Sequence, residues 1–208
     1  MQNGLWCWVN KMNYEEYTNH NNSVYMNCLN KNTDNHLAVN WGSKTSQQKR
    51  FEILMEVNKD FNTSSIIDVG CGLGHFADFL KSRDFQGIYQ GTDILNEMVE
   101  NAQKRNPNLK FRKENLFECS NNAYDYVVMS GIFTFGNINI FQNMIIESYR
   151  VCKKGLAFNS LSSWATKKED GEFYADPIKT LEFCSKITSK VVLRHDYLPH
   201  DFTIYMYK

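Results

Sequence analysis

The sequence predicts an α/β fold: a doubly wound, mostly parallel sheet with helices on both faces and an antiparallel strand at its C-terminal end. Three observations predict it. Short apolar runs alternate with stretches of helical period between Ser65 and Ile187, the pattern of strands joined by crossover helices. A glycine-rich segment, Asp68-Val69-Gly70-Cys71-Gly72-Leu73-Gly74, directly follows the first run and leads into a helix. The last two apolar runs, Val191–Arg194 and Phe202–Tyr207, are linked by a few residues around Pro199. A parallel crossover needs about a dozen residues, so this pair makes an antiparallel hairpin.

Taken in order, residues 1–45 read as an irregular N-terminal cap rich in Asn, in which Trp6, Trp8, Tyr14, Tyr17 and Tyr25 show no clear period. Asn favours turns over element interiors, yet the aromatics are too many for a linker. Residues 46–208 read as the main domain. Its first helix starts at Ser46, a suitable N-cap, and carries Phe51, Leu54, Met55 and Val57. Strands follow at Ser65–Val69, Ile88–Thr92, Leu109–Arg112, Tyr124–Met129 and Leu156–Asn159. Helices run near His75–Ser82, Leu95–Arg105, Ile140–Cys152 and Pro177–Ile187, and Pro107 closes off the second.

Composition narrows the function classes. At 208 residues, 42% hydrophobic and 14% aromatic, the chain can build one substantial core. Its 23 basic and 23 acidic residues balance, and no basic run stands out. A protein that works on nucleic acid phosphates carries a basic excess or stripe, so nucleic acid is disfavoured as a partner. The six cysteines (7, 28, 71, 119, 152 and 184) show no CxxC spacing, which argues against a zinc site or disulfide framework. That usage fits a reducing cytoplasm. No basic-then-apolar leader and no membrane-spanning run appear, so a soluble, cytoplasmic protein without a membrane partner is expected.

The glycine segment carries the first chemical signal. Asp68 stands at the tip of the first strand, and the glycines let the turning backbone pass close to a ligand. Twenty-five residues on from Asp68, Asp93 ends the second apolar strand, where a carboxylate can accept hydrogen bonds from ribose hydroxyls. Together they point to an adenosine-like cofactor. The spacing is GxGxG preceded by an acid, whereas the dinucleotide fingerprint is GxGxxG. A carboxylate beside a pyrophosphate is unfavourable; beside a methionine ammonium it is favourable. The sign of the charge therefore favours S-adenosylmethionine over NAD.

With the glycine segment, Gly91-Thr92-Asp93, Glu114-Asn115-Leu116 and Tyr124-Asp125-Tyr126-Val127-Val128-Met129-Ser130-Gly131 in this order, the chain resembles the class I S-adenosylmethionine-dependent methyltransferases. That resemblance covers roughly residues 46–208 and implies a Rossmann-like sheet of seven strands with an antiparallel last strand. It implies that Gly70, Gly72 and Gly74 shape the loop beside the methionine end and that Asp68 stands near the methionine ammonium. It further implies that Asp93 holds the ribose, Ile94 packs on the adenine, and Asn115 with the Leu116 backbone addresses the adenine edge. Asn115 occupies a position where the family often has Asp. Ser130 falls close to the path of the methyl group. The segments Trp41-Gly42-Ser43-Lys44 with Gln47 and Arg50, and Leu193 to Tyr197, also resemble small bacterial methyltransferases, some of which accompany surface-polysaccharide synthesis.

Further candidates come from residue chemistry. His195 and His200 in the final hairpin are candidate general bases, since a neutral imidazole accepts a hydroxyl proton near pH 7. Against that stand a polar turn satisfying its own backbone and a metal site of two His and two Asp. Trp41 and Arg50 are candidate cofactor contacts, Arg50 toward the methionine carboxylate; a packing anchor and a solvated face are the plainer readings. Cys71 reads as a small filler. Trp164, Phe173 and Tyr174 bracket a charged stretch that is either a lid or a surface loop. After strand 4 the chain reads Ser130-Gly131-Ile132-Phe133, without the Asp/Asn-Pro-Pro-aromatic motif of enzymes that methylate DNA bases. The expected activity is O-methylation of a small polar molecule, a sugar or phosphorylated metabolite, releasing S-adenosylhomocysteine and using no metal. The alternatives are an NAD(P)-binding oxidoreductase or epimerase, and a non-catalytic binder of S-adenosylmethionine.

Overall fold

A computed structural model describes residues 13–31 and 43–208. Its centre is a seven-stranded sheet: β1 (Ser65–Val69), β2 (Ile88–Asp93), β3 (Lys110–Lys113), β4 (Tyr124–Met129), β5 (Cys152–Leu161), β6 (Val191–Leu198) and β7 (Asp201–Tyr207). The spatial order is β3-β2-β1-β4-β5-β7-β6. Strands β1 to β5 pair in parallel, while β7 lies between β5 and β6 and is antiparallel to both. The order reverses between β1 and β4, and open α/β sheets take their ligands outside the carboxyl ends of the strands at such a point.

Helices α1 (Tyr14–Lys31), α2 (Lys44–Met55), α3 (His75–Lys81), α4 (Asn96–Arg105), α5 (Ile138–Val151) and α6 (Pro177–Ser185) surround the sheet. Two apolar layers result. Alternate residues of each central strand face one or the other: Ile67, Val127 and Phe158 pack with Phe141 and Ile145 of α5. Ile66, Tyr126, Val128 and Ala157 pack with Phe51 and Leu54 of α2 and Phe76 and Leu80 of α3. Buried on both faces, these strands read as continuous apolar runs.

Four local expectations are corrected. Residues 14–31 are helical, not irregular. Asn13 and Glu16 form a reciprocal capping pair, Glu16 N–H donating to Asn13 Oδ1 and Asn13 N–H to Glu16 Oε2, each at 2.9 Å. The N-cap of α2 is Ser43, three residues before the expected Ser46, whose N–H it accepts. Strand β5 is longer than Leu156–Asn159 because Cys152 and then Gly155 to Leu161 pair with β4 or β7, with a register shift between them. Strand β6 runs to Leu198, so His195 and Tyr197 lie in a strand and only Pro199 and His200 form the turn.

Helix α2 is pinned to β7 by a buried ion pair, Arg50 Nε to Asp201 Oδ2 at 2.7 Å, with side chains 9% and 1% exposed. Tyr197 donates to Asp201 Oδ1 as well, and Tyr207 donates to Val57 O at 2.7 Å. Removing one partner strands the other charge in the interior. Asp201→Ala is accordingly expected to cost about 3–5 kcal/mol in urea unfolding; an unchanged midpoint would show that the pair holds nothing in place.

Candidate functional site: two adjoining clefts

The glycine segment turns tightly over the end of β1. Gly70, Gly72 and Gly74 have φ of 75°, 51° and 76°, in the left-handed region that side chains rarely adopt. Gly70 and Cys71 N–H groups both donate to Thr92 O, at 2.8 and 3.0 Å, which ties the turn to β2. Space is also short: a Cβ on Gly70 would stand 2.2 Å from Ile132 Cγ2. Asp93 locks the arrangement. Its Oδ2 accepts from Gly72 N–H at 2.9 Å and its Oδ1 from Leu95 N–H at 3.0 Å. Burial pushes its carboxyl above the usual range, and these backbone donors oppose the shift.

Beside this turn lies a cleft of about 770 Å³, counting its open mouth, a size suited to a cofactor. Gly70, Gly72, Asp93, Ile94, Leu116 and Ser130 line it, in keeping with the sequence. So do Glu114, Met98, Gly131, Ile132 and Met144. Helix α1 forms its remaining wall through Tyr14, Tyr17, Asn21 and Tyr25. Tyr17 donates to Ile132 O at 2.7 Å, and Tyr14 to Asn115 Oδ1 at 3.2 Å, fastening that wall to the segments after β4 and β3.

Of the remaining expected cofactor residues, Asp68, Gly74 and Asn115 make other contacts. Asp68 shares a sheet face with Ile66 and accepts from Tyr89 Oη at 2.8 Å. Burial pushes its carboxyl up to about 7, the Tyr89 bond opposing. Gly74 caps α3, and a Cβ there would stand 3.3 Å from both Ala102 and Phe111, so its duty is helix packing. Asn115 caps the 3-10 turn Leu116–Glu118 by accepting from Phe117 N–H at 3.2 Å. Trp41 lies outside the described residues. Cys71 is buried against Gly91, and burial pushes its thiol well up, as suits a filler.

A second cleft of about 1180 Å³ adjoins the first. Ser43, Ser46, Arg50, Thr134, Lys167, Glu172, Tyr174 and His200 line it, and Tyr25 and Gly131 belong to both clefts. Of the charged stretch and its aromatics, Lys167, Glu172 and Tyr174 face this space, while Phe173 packs on Phe141 at 5.5 Å. Burial and then the Arg50 charge hold His200 below the ordinary imidazole pKa of 6.5. The structure does not bring the two histidines to one role. His195 Nε2 lies 2.8 Å from Ser162 Oγ, and its ring sits between Trp164 and Phe202, with centroids 5.0 and 6.4 Å away. Among the described residues no cluster of three His, Cys, Asp or Glu is placed to hold a metal, and no helix is long and apolar enough to cross a membrane.

Asp68 makes a pH test. Its folded pKa of about 7 exceeds the unshifted 3.8, so its contribution to stability is full below 3.8 and lost as pH rises through about 7. Asp68→Asn removes that loss. Its melting temperature relative to wild type should rise as pH climbs from about 4 to about 8, and a pH-independent difference would contradict the buried-acid account.

Comparison with known proteins agrees with this architecture. A methyltransferase-domain family model matches residues 66–155. A Mycobacterium tuberculosis protein named as a putative methyltransferase, Rv1506c, is 35% identical over 160 residues, covering 69% of this chain and 93% of that protein. Among solved structures, magnesium protoporphyrin IX methyltransferase from Synechocystis with bound S-adenosylhomocysteine has a TM-score of 0.68 at 11% identity, over 93% of this chain and 97% of that one. The DhpI complex with S-adenosylhomocysteine has a TM-score of 0.68 at 13% identity, over the same shares. These two share the fold. The matches favour neither the NAD(P)-dependent alternative nor a non-catalytic binder. With a relative of this identity matched over nearly its full length, and with the sheet order found here, the chain belongs to the class I S-adenosylmethionine-dependent methyltransferases.

Proposed function

We propose that this enzyme methylates a hydroxyl oxygen of a small polar molecule, with S-adenosylmethionine in the first cleft and the acceptor in the second. The observation that carries the reading is the junction of the two clefts at Tyr25 and Gly131, beside Ser130 at the end of β4. The residues present fit the cofactor. Asp93 offers a buried carboxylate for a ribose, Ile94, Leu95, Met98 and Leu116 offer an apolar wall for a purine, and Gly70 and Gly72 leave the loop free of side chains. When bound, S-adenosylmethionine supplies an electrophilic methyl carbon on a sulfonium.

The protein's own residues then position the reactants and exclude water, which can supply much of the acceleration in an in-line transfer. A hydroxyl acceptor also needs a proton acceptor. His200 faces the second cleft and is held below the ordinary imidazole range, so it is neutral near pH 7 and able to take that proton. Arg50 lines the second cleft and not the first, so we assign it to the acceptor wall in place of the methionine carboxylate. His195, committed to Ser162 and two aromatic rings, is assigned a structural role.

Hydroxyl-bearing and charged side chains share the second cleft, which supports a sugar or phosphorylated metabolite as acceptor. A tie to surface-polysaccharide synthesis extends the same reading, although Gln47 contacts His75 at 3.3 Å and Arg194 pairs with Glu56 and Asp196, which are structural duties. The five described cysteines are free thiols, in keeping with a cytoplasmic site of action. Residues 1–45 are proposed as a cap whose helix closes the cofactor cleft.

Radiolabelled methyl transfer to a panel of free and phosphorylated sugars, with amines for comparison, tests the acceptor class; label found on amines alone would sink it. Asp93→Ala should weaken S-adenosylhomocysteine binding by about 1–3 kcal/mol in calorimetry, because ribose hydroxyls lose their acceptor. Equal affinity would remove Asp93 from the site. His200→Ala should lower turnover by about 10²-fold or more with that affinity intact, whereas His195→Ala should act through stability. In wild type the acid limb of the pH–rate profile should fall below 6.5; a limb above it would exclude His200 as the base.

A further inference from the structure

Tyr25 was no part of the expected site, yet its position is singular among the described residues. It and Gly131 are the two residues that border both clefts, and Gly131 has no side chain to offer either ligand. The electrostatics agree with that position. Burial is the chief cause that raises its phenol above the ordinary range, and Asp93 in the first cleft and Glu172 in the second both add to the shift, as does Cys28. Its ring is braced edge to face by Phe135 at 6.1 Å. Phe135 belongs to the segment after β4 that also supplies Gly131 and Thr134 to the cleft walls. The orientation of Tyr25 is thereby tied to the loop the methyl group must pass.

We propose that Tyr25 is a specificity-determining residue that touches both ligands, its ring closing the cofactor wall and its phenol facing the acceptor oxygen. The inference rests on the two-cleft reading above. A phenol kept neutral cannot serve as the base, which leaves proton removal to His200, which also lines the second cleft. It can hold an oxygen acceptor in line through a hydrogen bond, and it favours acceptors that make such a bond over those that cannot. Because Tyr25 shares a helix face with Tyr14, Tyr17 and Asn21, the contacts that seat α1 on the cofactor cleft also set the acceptor contact. Cofactor binding should therefore precede and improve acceptor binding.

The test uses full-length protein containing 3-fluorotyrosine, with the Tyr25 resonance assigned by its loss in Tyr25→Phe. S-adenosylhomocysteine probes the cofactor side and Glu172→Gln the acceptor side. Both perturbations are expected to move the Tyr25 signal. In calorimetry, Tyr25→Phe should retain S-adenosylhomocysteine affinity within about twofold and Tyr25→Ala should lose about tenfold, since the ring rather than the hydroxyl closes that wall. Methyl transfer to the sugar panel should fall about tenfold in Tyr25→Phe with cofactor affinity held. A Tyr25 signal indifferent to either perturbation, or Tyr25→Ala binding equal to wild type, overturns the proposal while leaving the two-cleft reading intact. Wild-type protein that binds no S-adenosylhomocysteine removes that reading, and this proposal with it.

Discussion

A single buried carboxylate organises the site. Asp93 ends β2, and its two oxygens accept N–H groups from Gly72 on one side and Leu95 on the other. One bond holds the glycine turn in its left-handed geometry; the other holds the start of α4. A carboxylate taken out of water is costly unless it is hydrogen-bonded, and two backbone donors meet that cost without a neutralising cation. Lone pairs remain on each oxygen for further donors. The group that fixes the loop is therefore also the group proposed above to receive ribose hydroxyls, and in that reading folding and ligand recognition rely on one side chain.

The sheet supplies the frame on which this works. Because β7 inserts between β5 and β6 and runs against them, β6 rejoins the parallel direction and β7 begins at the ligand-binding edge. That geometry puts Asp201 opposite Leu161, three residues beyond Phe158, the partner of Met129 at the end of β4. Asp201 then pins Arg50 of α2, and Arg50 helps hold His200 neutral. A buried ion pair is weak evidence for stability but well suited to fixing a geometry. Here it sets one wall of the second cleft, and its cation adds to the burial that lowers the pKa of the residue on it.

Much of this was legible in the sequence, and the reasons are physical. Strands β1 and β4 carry short apolar runs buried on both faces, and glycines at 70 and 72 announce a turn that side chains cannot make. Asp93 follows from its place at a strand end. The N-terminal helix was missed although its signal was present: Tyr14, Tyr17, Asn21 and Tyr25 fall three, four and four residues apart, one face of a helix. Asn21, buried but polar, and the many exposed asparagines hid that period. Asn13 and Glu16, three apart, were the matching start signal. Asp68, expected near the methionine ammonium, accepts from Tyr89 and is not among the residues lining the first cleft. It is one residue from a strand end, and in a strand one residue is the difference between two faces.

His195 and His200 show where sequence reading ends. Five residues apart beside the same turn, they carry the same chemistry, and no spacing rule separates them. The separation comes from β6 extending to Leu198, which places His195 inside the strand, over Ser162 and between two aromatic rings, and leaves His200 in the turn facing the second cleft. That extension depends on pairing with β7, a tertiary fact that local pattern does not encode. Cofactor recognition uses backbone turns and strand ends, which leave marks at fixed spacing. The proposed acceptor cleft draws Tyr25, Arg50, Lys167 and His200 from four separate segments, brought together only by the fold. An enzyme of this kind is therefore readable in proportion to how local each of its sites is, and its acceptor is the least local part.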